Sequence, residues 1–195
     1  DRVRGANLKK SDNIELSISG ATGFQAEAEN ISATLNLREP FTMIAWVYHT
    51  SEDATHEAVL ATSSPTSSSR VYGAYLGLRQ PTARQVYTYY RSGDGAASGQ
   101  FYSRPNLNQW HMVGITMDGS TSSIFVDDLP FQAGQNAGLQ NFNDYPVLFI
   151  GSVPQNPYMP FAGYIKNVQI YNRVITQAEA AQLYHNTINI IDTLQ

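Results

Sequence analysis

An all-β sandwich is the fold class this sequence predicts, and three observations carry it. Nine or more short runs rich in Val, Ile, Thr and aromatic residues are separated by Gly, Pro, Asn, Asp and Ser. Only one segment carries a clear helix start signal. The chain has 195 residues and is 42% hydrophobic, with 12 Tyr and 8 Phe, enough for one core.

The strands follow in order. Asn13 to Ser19 alternates Ile14, Leu16 and Ile18 against polar partners. Phe41 to His49 (FTMIAWVYH) is nearly continuous in apolar residues, which predicts a central strand covered on both faces. Ala58 to Thr62, Val71 to Arg79 and Gln85 to Arg91 come next, then His111 to Met117, Ser123 to Asp127, Val147 to Gly151 and Tyr164 to Tyr171. Asp118-Gly119 joins two alternating runs and is a strong hairpin signal. Ser63 to Ser69 and the glycine-rich Ser92 to Gly99 read as turns. Pro154 to Pro160 holds three prolines and cannot be a central strand.

The helix signal is Thr176-Gln-Ala-Glu179, a capping box in which each side chain satisfies the other residue's amide. It predicts a short helix of about 10 residues. The tail from Ile188 to Leu194 alternates and suggests a final edge strand. With no linker-like stretch and no internal repeat, residues 1–195 read as a single domain.

Composition excludes several functions. Zero Cys removes disulfide scaffolds, Cys-based zinc sites and Cys nucleophiles. A net charge of −4 is wrong for general nucleic-acid binding. No apolar run approaches a membrane span, and Asp1 to Lys10 lacks a signal-peptide core, so the chain reads as a mature product or a fragment. Only 14% of residues are charged, whereas Ser, Thr, Asn and Gln supply 58 of them. Neutral polar groups thus cover the surface.

A specific order of motifs occupies the second half. Asn108-Gln-Trp-His-Met-Val113 leads to Asp118-Gly119 and Ile124-Phe-Val-Asp127. Phe149-Ile-Gly151, Phe161-Ala-Gly163, Ile165-Lys-Asn-Val-Gln-Ile-Tyr-Asn-Arg173 and the capped helix follow. This series, with Phe41 to Val47 before it, resembles the laminin G-like, concanavalin A-like lectin/glucanase group over about residues 41–186. The resemblance implies a concanavalin A-like jelly-roll sandwich of two antiparallel sheets with one short C-terminal helix. Trp46 and Trp110 are expected as buried strand aromatics, and His111 as a structural histidine.

Glucanases of that group use a strand-borne E-x-D-x-x-E cluster to flank the glycosidic bond. The chain has no such spacing. Glu27 and Glu29 are isolated from the next carboxylate, Glu39, and Asp127-Asp128 fit a hairpin end. His49, His56, His111 and His185 are scattered, and no nucleophile elbow or dinucleotide fingerprint occurs. The expectation is no enzyme and no cofactor. At the positions where the group often carries calcium-binding Asp, this chain reads Ile18-Ser19-Gly20 and Ile165-Lys166-Asn167. No metal is expected there.

Charge is unevenly spread. Arg70, Arg79, Arg84 and Arg91 lie between Ala58 and Gly93 with no acidic residue, and Arg104 follows. The same stretch holds Tyr72, Tyr75, Tyr87, Tyr89, Tyr90 and Tyr102. Period 2 puts Tyr75 with Arg79, and Tyr87 with Tyr89 and Arg91. If those strands pair, Tyr75, Arg79, Tyr87, Tyr89 and Arg91, with Arg104 nearby, line one face. Rings stack on sugar C–H faces, and Arg pairs with a carboxylate or sulfate. The expected function is a lectin-like module for glycans or glycoproteins, with anionic or sialylated sugars as candidates. It would be extracellular, on a cell or virion surface, and part of a larger protein. The alternative is a protein–protein adhesion or structural module.

Overall fold

The fold was analysed in a computed structural model that describes residues 14–16, 31–34, 40–51, 56–63, 72–79, 85–91, 97–98, 101–103, 105–119, 121–135, 147–151 and 161–193. The elements, in chain order, are β1 (Ile14–Leu16), β2 (Ile31–Thr34), β3 (Phe41–His49), β4 (His56–Ser63), β5 (Tyr72–Arg79), β6 (Gln85–Arg91) and β7 (Ala97–Ser98). There follow β8 (Phe101–Ser103), β9 (Trp110–Met117), β10 (Thr121–Val126), β11 (Gln132–Gln135), β12 (Val147–Ile150), β13 (Gly163–Tyr171) and helix α1 (Gln177–Thr193).

Two antiparallel sheets form. Sheet A runs β1-β13-β3-β9-β10-β11. Sheet B runs β2-β12-β4-β5-β6-β7, and β8 pairs with the start of β6 where β7 pairs with its end. Alternation divides each strand. Phe41, Met43, Ala45 and Val47 of β3 and Val113, Ile115 and Met117 of β9 face inward. They meet Leu76 and Leu78 of β5, Val86 of β6 and Leu148 and Ile150 of β12. This is the jelly-roll core, and its burial is the main stabilising term.

The other face of β3 explains its continuous apolar sequence. Ile44 and Trp46, with Met112 of β9, lie under α1 in a second cluster. Trp46 stacks on Tyr184 of the helix at 5.5 Å between ring centroids. Trp46 and Trp110 are buried as expected, but beneath the helix rather than between the sheets.

The local signals hold where their chemistry is strong. Asp118 accepts bonds from the amide and hydroxyl of Thr121, and Gly119 adopts φ 93° to close the β9–β10 hairpin. The capping box forms: the Glu179 amide donates to Thr176 Oγ1, and the Thr176 amide donates to Glu179 Oε2. Two expectations are corrected. The tail is not an edge strand, because α1 continues through Thr193 for 17 residues. Tyr184, Ile188 and Ile191 recur at helical spacing and pack on sheet A, which outweighs the short alternation. The stretch read as a turn at Ser92 to Gly99 includes the two-residue strand β7. The Ser64 to Ser69 and Pro154 to Pro160 segments lie outside the described residues.

Candidate functional site

Strand register builds the outer face of sheet B. β5 pairs with β6 so that Tyr75 opposes Tyr89, Gly77 opposes Tyr87 and Arg79 opposes Gln85. Leu76, Leu78 and Val86, between them in sequence, point into the core. The pairing condition for the Tyr- and Arg-bearing face is therefore met by the backbone. Extending the register gives three rows across the sheet. One runs Phe149–Ala61–Tyr75–Tyr89. The next runs Ala58–Gly77–Tyr87–Phe101, and the third runs His56–Arg79–Gln85–Ser103. Arg91 pairs with Ala97 at the far end of β6. Arg79 and Arg91 thus sit at opposite ends of the face. Arg104 lies outside the described residues.

The two described tyrosines do not present open faces. Tyr75 is 1% exposed and Tyr87 is 7% exposed. Their rings pack together at 5.2 Å, within a cluster of Ala58, Ala61 and Phe149. Tyr75 lies flat along its own strand over Gly77, where a Cβ would come within 2.3 Å of the ring. These two rings form a packed floor to the face. His56, half-buried, meets Tyr87 edge-on at 5.9 Å.

Two described carboxylates off this face do structural work. Glu57 is fully buried between the sheets. Its oxygens lie 2.8 and 2.9 Å from Nε2 of His49, and Oε2 also accepts the Ala162 amide at 3.0 Å. An ionised carboxylate only accepts, so Nε2 of His49 carries the proton. Asp127, in the left-handed conformation at φ 54°, accepts the Met112 amide and Nδ1–H of His111, both at 2.8 Å. The Trp-His and Val-Asp motifs are therefore two halves of one clip between β9 and the end of β10. His111 is structural, as expected. Its Nε2 is buried without a hydrogen-bond partner among the described residues. Asp128 pairs with the exposed His185 at 3.2 Å.

Lys166 is nearly buried, with Nζ 4.5 Å above the Trp110 ring. Desolvation lowers its pKa. Beside it, Asn167 adopts φ 47° at the bulge in β13. This is a cation-holding aromatic site, not a cation-coordinating carboxylate site. No group of three or more His, Asp or Glu that could hold a metal occurs among the described residues. Ile18 to Gly20, Glu27, Glu29 and Glu39 lie outside them. The His49–Glu57 pair escaped sequence analysis. Its one signal is a charged residue at an inward position of an apolar strand, Glu57 two before Val59.

The comparisons agree with this architecture. A laminin G-type family model, described as the concanavalin A-like lectin/glucanases superfamily, matches residues 19–181. Among solved structures, the chain is similar to the Ruminococcus gnavus IT-sialidase CBM40 bound to α2,3 sialyllactose. The TM-score is 0.64 at 15% identity, covering 88% of this chain and 97% of that one. It also resembles the botulinum neurotoxin type G receptor binding domain, with a TM-score of 0.62 at 14% identity, covering 90% of this chain and 42% of that one. A Trypanosoma rangeli sialidase matches with a TM-score of 0.57 at 22% identity, covering 78% of this chain but 24% of that one. Comparison with curated protein sequences finds no match. The family model spans most of the chain. The chain belongs to the concanavalin A-like lectin/glucanase superfamily.

Proposed function

We propose that the protein is a non-catalytic, lectin-like carbohydrate-binding module, and that its ligand lies on the outer face of sheet B. The observation that carries this is the register of β5 and β6. It puts Arg79, Tyr89 and Arg91 at register positions of the same face as Tyr75 and Tyr87. Rings and neutral polar groups suit hydroxyl-rich ligands, and guanidinium groups suit an acidic sugar. A CBM40 domain of similar fold is bound to sialyllactose, which supports the choice of glycan as ligand.

Catalysis by a carboxylate pair would need two carboxyl groups about 5–10 Å apart in a cleft. Glu57, sealed between the sheets, and Asp127, engaged by His111 and Met112, are unsuited to that role. The module would work outside the cell or on a surface, attached to a larger protein that it targets to glycans. Among the described residues, no helix is long and apolar enough to cross a membrane.

A glycan array screened with and without EDTA tests the proposal. Sialylated or uronic glycans should bind, and EDTA should leave the signal unchanged, because Lys166 stands where a carboxylate ligand would be expected. Failure to bind any glycan overturns the lectin assignment in favour of a protein-binding module. Loss of binding in EDTA overturns the metal-independent part alone.

A further inference from the structure

We infer that the row His56–Arg79–Gln85–Ser103 is the part of this face that reads a carboxylate-bearing sugar. The inference rests on the glycan-binding function proposed above, and it selects one end of the sheet and three residues not yet assigned a role.

The row is continuous through four strands. His56 opposes Arg79, Arg79 opposes Gln85, and Gln85 opposes Ser103. Neighbouring strands lie about 4.8 Å apart, so the row spans about 14 Å. Its chemistry is an imidazole, a guanidinium, a carboxamide and a hydroxyl, with no acid among them. A guanidinium flanked by neutral donors and acceptors suits a carboxylate next to hydroxyl or N-acyl groups. It takes the charge in a two-pronged bond, and the neighbours take the uncharged polar groups.

Exposure points to the same end. In the two rows further along the face, Ala58, Gly77, Tyr87, Ala61, Tyr75 and Phe149 are all buried. In this row His56 and Gln85 are half-buried and Ser103 is exposed. The described part of the floor is thus closed, and His56, Gln85 and Ser103 reach solvent at its edge. The floor also holds His56 in place. Tyr75 lies over Gly77, Tyr87 packs on Tyr75, and His56 sits edge-on against Tyr87. Arg91 is six residues along β6 from Gln85, about 20 Å at strand rise, and belongs to a different part of the ligand.

Calorimetry with α2,3-sialyllactose, its sialic acid methyl ester and a glucuronic acid disaccharide with its methyl ester tests the assignment. Wild type should prefer a free acid over its ester by about 10-fold or more, the loss expected when a hydrogen bond to a charged group is removed. In Arg79→Ala and Arg79→Gln that ratio should fall to near one, with the ester little affected. Gln85→Ala should weaken acid and ester alike, by roughly 3–10-fold. Arg173→Ala, which removes a positive charge at the start of α1, should keep the wild-type ratio and so excludes a general charge effect.

The outcomes separate. Equal binding of acid and ester by wild type overturns this inference and leaves the lectin assignment standing. An intact acid preference in both folded Arg79 variants also overturns it. No glycan binding at all overturns both.

Discussion

Replacing Glu57 by Ala would break the bond that ties β3 of sheet A to β4 of sheet B inside the sandwich. Glu57 is 0% exposed, and its carboxylate takes His49 Nε2–H and the Ala162 amide. Alanine leaves two buried donors without that acceptor. Each orphaned donor costs about 1–3 kcal/mol, the imidazole more if charged. The sum, about 2–6 kcal/mol, brackets the roughly 3–5 kcal/mol for breaking a buried ion pair. For a domain of this length each kcal/mol lowers Tm by about 2–4 °C, so a loss of about 3–5 kcal/mol should lower the midpoint by about 6–20 °C. Urea unfolding followed by tryptophan fluorescence measures the free energy directly.

A double variant sharpens the reasoning. Glu57→Leu with His49→Leu removes both polar partners, and apolar replacement of a buried pair is often neutral or better. It should recover most of the loss, short of the Ala162 amide's share. If Glu57→Ala costs under about 1 kcal/mol, or if the double variant is as unstable as the sum of the singles, the pair is not the staple described.

Two further predictions concern local structure. Arg173 and the Thr176 amide hold the Glu179 carboxyl down at about 2 from 4.5. A depressed folded value means that stability is present above pH 4.5 and is lost as pH falls towards 2. The pair is exposed, so the loss should stay under about 1 kcal/mol. NMR titration of Arg173→Ala should return Glu179 towards 4.5; a value still near 2 refutes the assignment. Gly163 has φ 151°, and a Cβ there would lie 2.0 Å from the Tyr48 carbonyl oxygen. Gly163→Ala should therefore cost more than about 2 kcal/mol in urea unfolding, and a neutral result would mean the β13–β3 contact relaxes freely.

Legibility in the sequence followed the range of the interactions. Phe41 to His49 declared a doubly covered strand because both of its faces are apolar, and it lies between β13 and β9 with α1 outside. Asp118-Gly119 and Thr176 to Glu179 announced themselves because their bonds span three residues. The helical tail was lost because Ile188 to Leu194 fits two periods, and only contact with sheet A decides between them. The His49–Glu57 bond was lost for a different reason. Its partners are eight residues apart in sequence but on different sheets, and nothing local requires them to meet. On the candidate face, period 2 and the pairing of β5 with β6 were legible. That Tyr75 would lie over Gly77 and close the floor was not, since it depends on side-chain packing at a glycine.

The division of the two outer faces bears on where a ligand can go. A two-sheet sandwich has two outward surfaces, and each must be closed by protein or kept polar. Sheet A spends its outer surface on α1: Ile44, Trp46 and Met112 lie under Tyr184 and Ile191, and Lys166 already occupies the Trp110 ring. A sugar cannot stack there without displacing the helix or an internal cation. Sheet B meets the same requirement with rings that pack on one another and with polar residues at the edge of that packing. The charge distribution follows this asymmetry. The arginine positions of β5 and β6 are on sheet B, while Lys166, on sheet A, lies over an aromatic ring. Under the proposed lectin reading, the face of sheet B that carries the arginine positions of β5 and β6 is therefore where an acidic sugar should be sought.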